Sequence, residues 1–263
     1  MAPSSVMAPT NPELLARILE LAGTRMVLVG GQALAFWAAY YEVPAPAIAV
    51  TKDVDLIGTR ADVERLARGL GGKATFPRQR DLTLLTGQIE KNLPGGDYIN
   101  IDVQSGVYGN VSTESLEKRA IVAESPVGKF RLLHPLDVLQ GRLENVYGIV
   151  EKQDEQGIAQ LQLAVAMVRE FLKDIASQEA ANQDATRRPA TLRHLRRIET
   201  LALSDAGRKV AKRHQVHVAD AIEPLPLLHI ESFKIKKLPQ LLSLMSSERR
   251  AQVAAADDPE APA

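Results

Sequence analysis

Asp53 and Asp55 stand two residues apart inside the largely apolar stretch 48–57, within Thr51-Lys52-Asp53-Val54-Asp55-Leu56. No other feature limits so strongly what this chain can fold into. An apolar run of this length reads as a strand, in which alternate side chains share a face. Both carboxylates then project together, about 7 Å apart at their Cα atoms. Like charges that close oppose each other's ionisation, and a bound divalent cation relieves the conflict. The fold therefore has to leave this strand open to a cation and its ligand. That points to a metal-dependent enzyme acting on phosphoryl groups.

The elements around this strand follow from turn and cap residues. Asn11 before Pro12 reads as the cap and first turn of a helix ending near Gly23. Residues 26–29 form a short buried strand, Gly30-Gly31 a tight turn, and 32–41 a nearly all-apolar helix expected to be buried. Helical spacing over 60–70 stops at Gly71-Gly72. Strands over 82–90 and 98–103 are joined by a turn at 92–96, and a second hairpin takes in 120–124 and 129–133. Beyond His134-Pro135 the pattern turns helical: Ile158, Leu161, Val165, Val168, Leu172 and Ile175 form one stripe, and further helices are expected at 189–203, 205–221 and 237–250. The expected organisation is an α/β domain over 10–130 and a helical domain over 131–250. Residues 1–9 and 251–263 are expected to be loose tails.

Asp102 lies in Tyr98-Ile99-Asn100-Ile101-Asp102-Val103, where apolar and polar residues alternate, so it occupies the polar face of its strand. Beside the Asp53/Asp55 strand it would complete a set of three acids suited to two magnesium ions roughly 3.5–4 Å apart, with manganese as the alternative metal. Asp102 is then the group placed to take a proton from an acceptor hydroxyl. The bland alternative is a polar residue on a solvated strand face. Gly30-Gly31, at the passage from strand to helix, lets backbone N–H groups approach a phosphate.

The chain has no cysteine, which excludes disulfides, thiolate nucleophiles and cysteine-based zinc sites. No apolar run approaches the length of a membrane span, and the first residues lack a signal-peptide core, so a cytoplasmic protein is expected. The formal net charge of zero hides a basic segment. Nine Lys or Arg fall between Arg187 and His214, against Glu199 and Asp205. Arg193, Arg196 and Arg197 share one helix face, and Arg208, Lys212 and Arg213 lie on the next helix. This is either an ordinary solvated surface or a place where phosphates of an RNA acceptor dock.

Together, VLVGGQALAFWAAYY, TKDVDL and INIDVQ resemble the nucleotidyltransferase fold of the polymerase β superfamily. That pattern has a Gly-Gly or Gly-Ser turn, an Asp-x-Asp strand and a later strand with a single Asp. The GG-x-AL and T-K-D-V-D-L wording is most similar to the AbiEii-like nucleotidyltransferases, many of them bacterial toxins. The resemblance covers 26–103 and extends more loosely into HPLDVLQGRLENVYGIVEKQD. It implies a mixed sheet with flanking helices and a helical C-terminal domain. It also implies a nucleoside triphosphate substrate and transfer of its nucleotide to a macromolecule, with RNA, tRNA in particular, ahead of protein. An antitoxin protein is the partner that a toxin role would require. Asp53, Asp55 and Asp102 become the metal-binding and catalytic residues, and Gly30, Gly31 and Gln32 the nucleotide-binding turn. Arg142 stands nearest to the family's phosphate-contacting lysine, and Lys152 and Asp154 near its Lys-Asp pair. Two departures are plain: Ala49-Val50 replaces the usual arginine before the aspartate strand, and Gln32 replaces the commoner Ser or Thr. An antibiotic-type enzyme acting on a small molecule, and an inactive nucleotide- or partner-binding module of the same fold, are the alternatives.

Overall fold

The computed structural model describes residues 10–49, 51, 53–78, 80–81, 83–94, 97–109, 112–181, 190–228 and 230–257. The described residues form two compact units, one of residues up to Trp37 with Ala45–Gly141, the other of Ala38–Pro44 with the residues from Arg142 onward.

The first unit begins with α1 (Pro12–Ala22), whose N-cap Asn11 accepts a 2.8 Å hydrogen bond from Leu14 N and which buries Ile18, Leu19 and Ala22. The chain then enters β1 (Val27–Val29), buried throughout, and passes directly into α2 (Gly30–Tyr40). The expected Gly-Gly turn is thus the first turn of the helix itself. Nor is α2 buried all round: Ala33, Leu34, Trp37 and Ala38 are inside, whereas Tyr40 is 63% exposed. Trp37 Nε1 donates to Leu133 O at 2.7 Å, and Phe36 meets Phe130 edge to face. A single face of an eleven-residue helix satisfies the packing, so an all-apolar sequence does not imply burial on every side.

The aspartate strand is shorter than its apolar run suggests. Ala47–Ala49 make a 3-10 turn and β2 spans only Val54–Ile57, which leaves Asp53 in the bend just ahead of it. Val50 and Lys52 lie outside the described residues. Next come α3 (Arg60–Leu70), β3 (Lys73–Thr75), β4 (Leu85–Asn92) and β5 (Tyr98–Gln104). The start of α3 is held by a reciprocal capping box between Thr59 and Asp62. Leu82 and Gly95-Gly96 of the expected hairpin fall outside the described residues. The unit closes with α4 (Thr113–Arg119), β6 (Ile121–Ser125), β7 (Gly128–Leu132) and the first half of α5 (Pro135–Gly148). β3 and α4 carry too few apolar residues to show a period, and the sequence pattern does not reveal them.

The seven strands among the described residues form one mixed sheet in the order β3-β4-β5-β2-β1-β7-β6. β2 is parallel to β5 and antiparallel to β1, and β1 is parallel to β7. Ile99, Ile101 and Val103 of β5 are buried while its intervening residues are partly open, the alternation of a sheet covered on one face. Asp137, 1% exposed on α5, is held by a two-pronged bond from Arg119 of α4, Nε to Oδ2 at 2.9 Å and Nη2 to Oδ1 at 2.8 Å.

The second unit is helical: the end of α5, then α6 (Glu155–Ala181), α7 (Ala190–Leu203), α8 (Asp205–His214), α9 (Leu238–Leu244) and α10 (Ser247–Asp257). The stripe expected along α6 is its buried face, including Leu161, Val165, Val168 and Leu172. In place of the single helix expected over 205–221, α8 ends at Gln215 in the left-handed conformation and a 3-10 turn follows at Val218–Ala221. The helix expected over 237–250 is likewise interrupted at Met245, whose extended backbone separates α9 from α10. A π-helical turn, Phe233–Lys237, leads into α9. Residues 251–257 continue α10 with Val253 buried, so this part of the expected tail is ordered helix. The remaining expected tail residues, 1–9 and 258–263, lie outside the described residues. No described helix is long and apolar enough to cross a membrane.

Candidate active site on the central strands

The register of the sheet brings the sequence motifs together. Asp55 of β2 stands directly opposite Asp102 of β5 across the parallel pair, and opposite Val29 of β1 on its other side. Residues opposite each other on neighbouring strands project to the same face, so the two carboxylates share one side of the sheet. Asp53 lies two residues before Asp55, half-buried, in the bend that leads into the strand. Asp55 and Asp102 are also half-buried, each between apolar neighbours that point into the core.

Gly30 and Gly31 are fitted to this strand. Gly30 has φ +65°, and a Cβ there would overlap Asp55 Oδ2 and lie 2.7 Å from Asp55 Cγ. A Cβ on Gly31 would lie 2.5 Å from Thr51 Cβ. The missing side chains let the start of α2 rest on the Thr-x-Asp-x-Asp segment, placing a helix N-terminus beside Asp55. Gln32 is half-buried in the first turn of that helix.

Two further polar residues complete the face, and neither is singled out by the sequence. Gln88 of β4 lies opposite Asp102, and its Nε2 donates to Asp102 Oδ1 at 2.9 Å. Gln104 of β5 donates from Nε2 to Asp55 Oδ1 at 3.2 Å. The alternation Asn100, Asp102, Gln104 is visible in the sequence; the register that brings Gln88 and Asp55 alongside is not.

Two carboxylates on adjacent strands, with amide groups beside them, suit a hard divalent cation. Among the described residues no three Asp, Glu or His side chains converge as a set of metal ligands.

The remaining candidate residues belong to the second unit. Arg142 of α5 donates from Nη1 to Gln160 Oε1 of α6 at 2.7 Å. Asp154 caps α6, its Oδ1 accepting from Gly157 N at 2.7 Å, which gives this residue a structural task. Of the basic segment, Arg187 and Arg188 are outside the described residues. Arg193 and Arg196 on α7 and Arg208, Lys212 and Arg213 on α8 line the segment, with Arg193, Arg196, Arg208 and Lys212 exposed and Arg197 half-buried. The acids of the segment are occupied: Glu199 pairs with Lys237 at 2.5 Å, and Asp205 with Lys209 at 2.8 Å and the Tyr147 hydroxyl at 2.6 Å.

His194 lies within this basic segment, edge to face with Phe171 of α6 at 5.2 Å. Burial, and then the charges of Arg193 and Arg197, push its pKa down from 6.5 to about 4 against the opposing pull of Glu179. The imidazole stays neutral in the fold while the unfolded chain takes up a proton below about pH 6.5. Stability should therefore fall as pH drops from about 6.5 to about 4. With the ring partly exposed, the expected loss is about 1–2 kcal/mol. Urea denaturation at pH 7.5 and pH 4.5 measures it, and His194→Gln, which cannot take up the charge, should shrink the difference by that amount.

No protein-family model matches the chain, and no curated protein sequence matches it. Among solved structures, it is similar to an antigenic nucleotidyltransferase-like protein from Paracoccidioides brasiliensis, with 13% identity, a TM-score of 0.45, and coverage of 82% of this chain and 96% of that one. It is also similar to JHP933 from Helicobacter pylori (12% identity, TM-score 0.36, 88% of this chain and 94% of that one). A third is the Megavirus polyadenylate synthase (13% identity, TM-score 0.38), where 96% of this chain matches 50% of that one. None of these three reaches a TM-score of 0.5.

Proposed function

We propose that this protein is a magnesium-dependent nucleotidyltransferase that moves a nucleoside monophosphate from a nucleoside triphosphate to an RNA acceptor, tRNA first among RNAs. One observation carries the reading: Asp55 and Asp102 face each other in register, with the glycine start of α2 packed against Asp55.

In this reaction the acceptor hydroxyl forms a bond to the α-phosphorus, and pyrophosphate leaves with the electron pair of the broken P–O bond. Asp55 and Asp102, which share the face, would hold magnesium, or manganese in its place, with Asp53 in the bend before β2 as a further carboxylate drawn in when the ion binds; the ion's charge would stabilise the leaving group and acidify the acceptor hydroxyl. The protein would contribute only a few carboxylates to the ion's ligands, leaving positions for triphosphate oxygens. Asp102 accepts the acceptor's proton. The backbone at Gly30, Gly31 and Gln32 receives phosphate at the positive end of α2.

The basic surface of α7 and α8 supports RNA as the acceptor, because its acids are neutralised by Lys237 and Lys209 while Arg193, Arg196, Arg208 and Lys212 remain exposed. Reversing these four charges to Glu should weaken tRNA binding more than tenfold and flatten its salt dependence by roughly 0.9 in log–log slope for each phosphate that is no longer neutralised. Fluorescence anisotropy between about 50 and 200 mM salt reads both quantities, and an unchanged slope would remove RNA as the ligand of this face. A toxin role with an antitoxin partner rests on the AbiEii-like wording of the motifs; growth arrest on expression, relieved by the product of an adjacent gene, tests it.

The reaction itself is tested by incubating the protein with each labelled nucleoside triphosphate, magnesium and total cellular RNA, with Asp53→Ala as control. Label on RNA from the intact protein alone supports the assignment. Label on neither RNA nor protein turns it towards a small-molecule acceptor or an inactive binding module.

A further inference from the structure

Gln88 and Gln104 touch the two central carboxylates from neighbouring strands. Gln88 reaches Asp102 from β4, and Gln104 reaches Asp55 from β5. An ionised carboxylate has no hydrogen to give, so the NH2 end of each amide must be the end that faces it. Each carboxylate therefore has its Oδ1 engaged by an amide, and Oδ2 of Asp55 rests against Gly30. The last torsion of an aspartate is broad when nothing restrains it. Here it is restrained before any ligand arrives.

The strands are also held together independently of these amide bonds. β4, β5 and β2 are joined by their backbone ladders, and Ile89, Ile99, Ile101 and Val103 fill the opposite face. Two glutamines donating to two carboxylates in register contribute orientation to the site.

We propose that Gln104 and Gln88 are positioning residues that preset Asp55 and Asp102 for a divalent cation, an inference that rests on the nucleotidyltransferase reading of this face. Partners that orient a ligand group are commonly worth about ten- to a hundredfold in metal affinity. A purely structural glutamine would change the melting temperature and leave cation affinity alone.

The test uses the full chain and Mn2+ alone, with free ion read by electron paramagnetic resonance. Gln104→Met and Gln88→Met keep side-chain length and remove the donor. Each should weaken Mn2+ binding about tenfold with the melting temperature nearly unchanged, and should raise the magnesium needed for half-maximal transfer while KM for the triphosphate, measured at saturating magnesium, stays put. Gln→Asn variants, with the amide drawn back by one methylene, repeat the test with a polar side chain and should weaken binding in the same direction. Mn2+ affinity within about twofold of wild type in folded variants overturns the proposal. If Asp102→Asn abolishes Mn2+ binding while the glutamine variants leave it intact, only this inference falls. If the unaltered chain binds no Mn2+, the metal reading of the site falls with it.

Discussion

Asp102→Asn should lower nucleotide transfer about a thousandfold or more, equivalent to about 4 kcal/mol of lost transition-state stabilisation. The melting temperature should stay within a few degrees. Asparagine keeps an oxygen where Gln88 Nε2 donates to Asp102 Oδ1, so the hydrogen bond that orients this side chain survives. What disappears is the charge that would hold a cation and take the acceptor's proton. Asp55→Asn should behave alike, since the bond from Gln104 can also persist. Removing one of two like charges from a shared face relieves repulsion, so a small gain in stability accompanies the fall in activity. Initial rates at saturating triphosphate, read beside a thermal melt, check both halves. A folded Asp102→Asn protein with ordinary activity would refute the assignment.

Gly30→Ala should damage both stability and activity. At φ +65° an alanine is strained by about 1–2 kcal/mol, and its Cβ would overlap the Asp55 carboxylate. Adding the cost of overpacking, the total is about 3 kcal/mol or more, and a fall in melting temperature of roughly 10 °C. Relief requires Asp55 to move, which also displaces a carboxylate of the proposed site. Gly71→Ala is the matched control: its φ of +62° is similar, but its Cβ would meet only Lys91 Nζ at 3.7 Å. It should cost about 1 kcal/mol and leave activity alone. Equal melting temperatures for the two variants would show that Asp55 yields at little cost.

The motifs are legible in the sequence because each rests on local chemistry. Apolar periodicity marks the long helix α6, Asn11 and Gly71 mark where helices start and stop, and alternation puts Asp102 on the open face of β5. The same signals misjudge extents. An apolar run from 48 to 57 suggests one strand, yet the chain is a 3-10 turn followed by four strand residues, because apolarity reports burial and not backbone conformation. The break after α8 depends on Gln215 taking a left-handed conformation, to which no local residue type points.

Sequence by itself determined the acids, the glycines and the basic segment, along with the face each strand residue occupies, since these follow from residue type and a period of two. Only the tertiary structure decided that β5, rather than another strand, lies beside β2, and that the register sets Asp102 opposite Asp55. Strand pairing joins residues distant in the chain, and a shift of one residue would have turned every side chain to the other face. For the same reason Gln88 and Gln104 carry no signal alone: their meaning comes from the carboxylates that pairing brings within hydrogen-bonding reach.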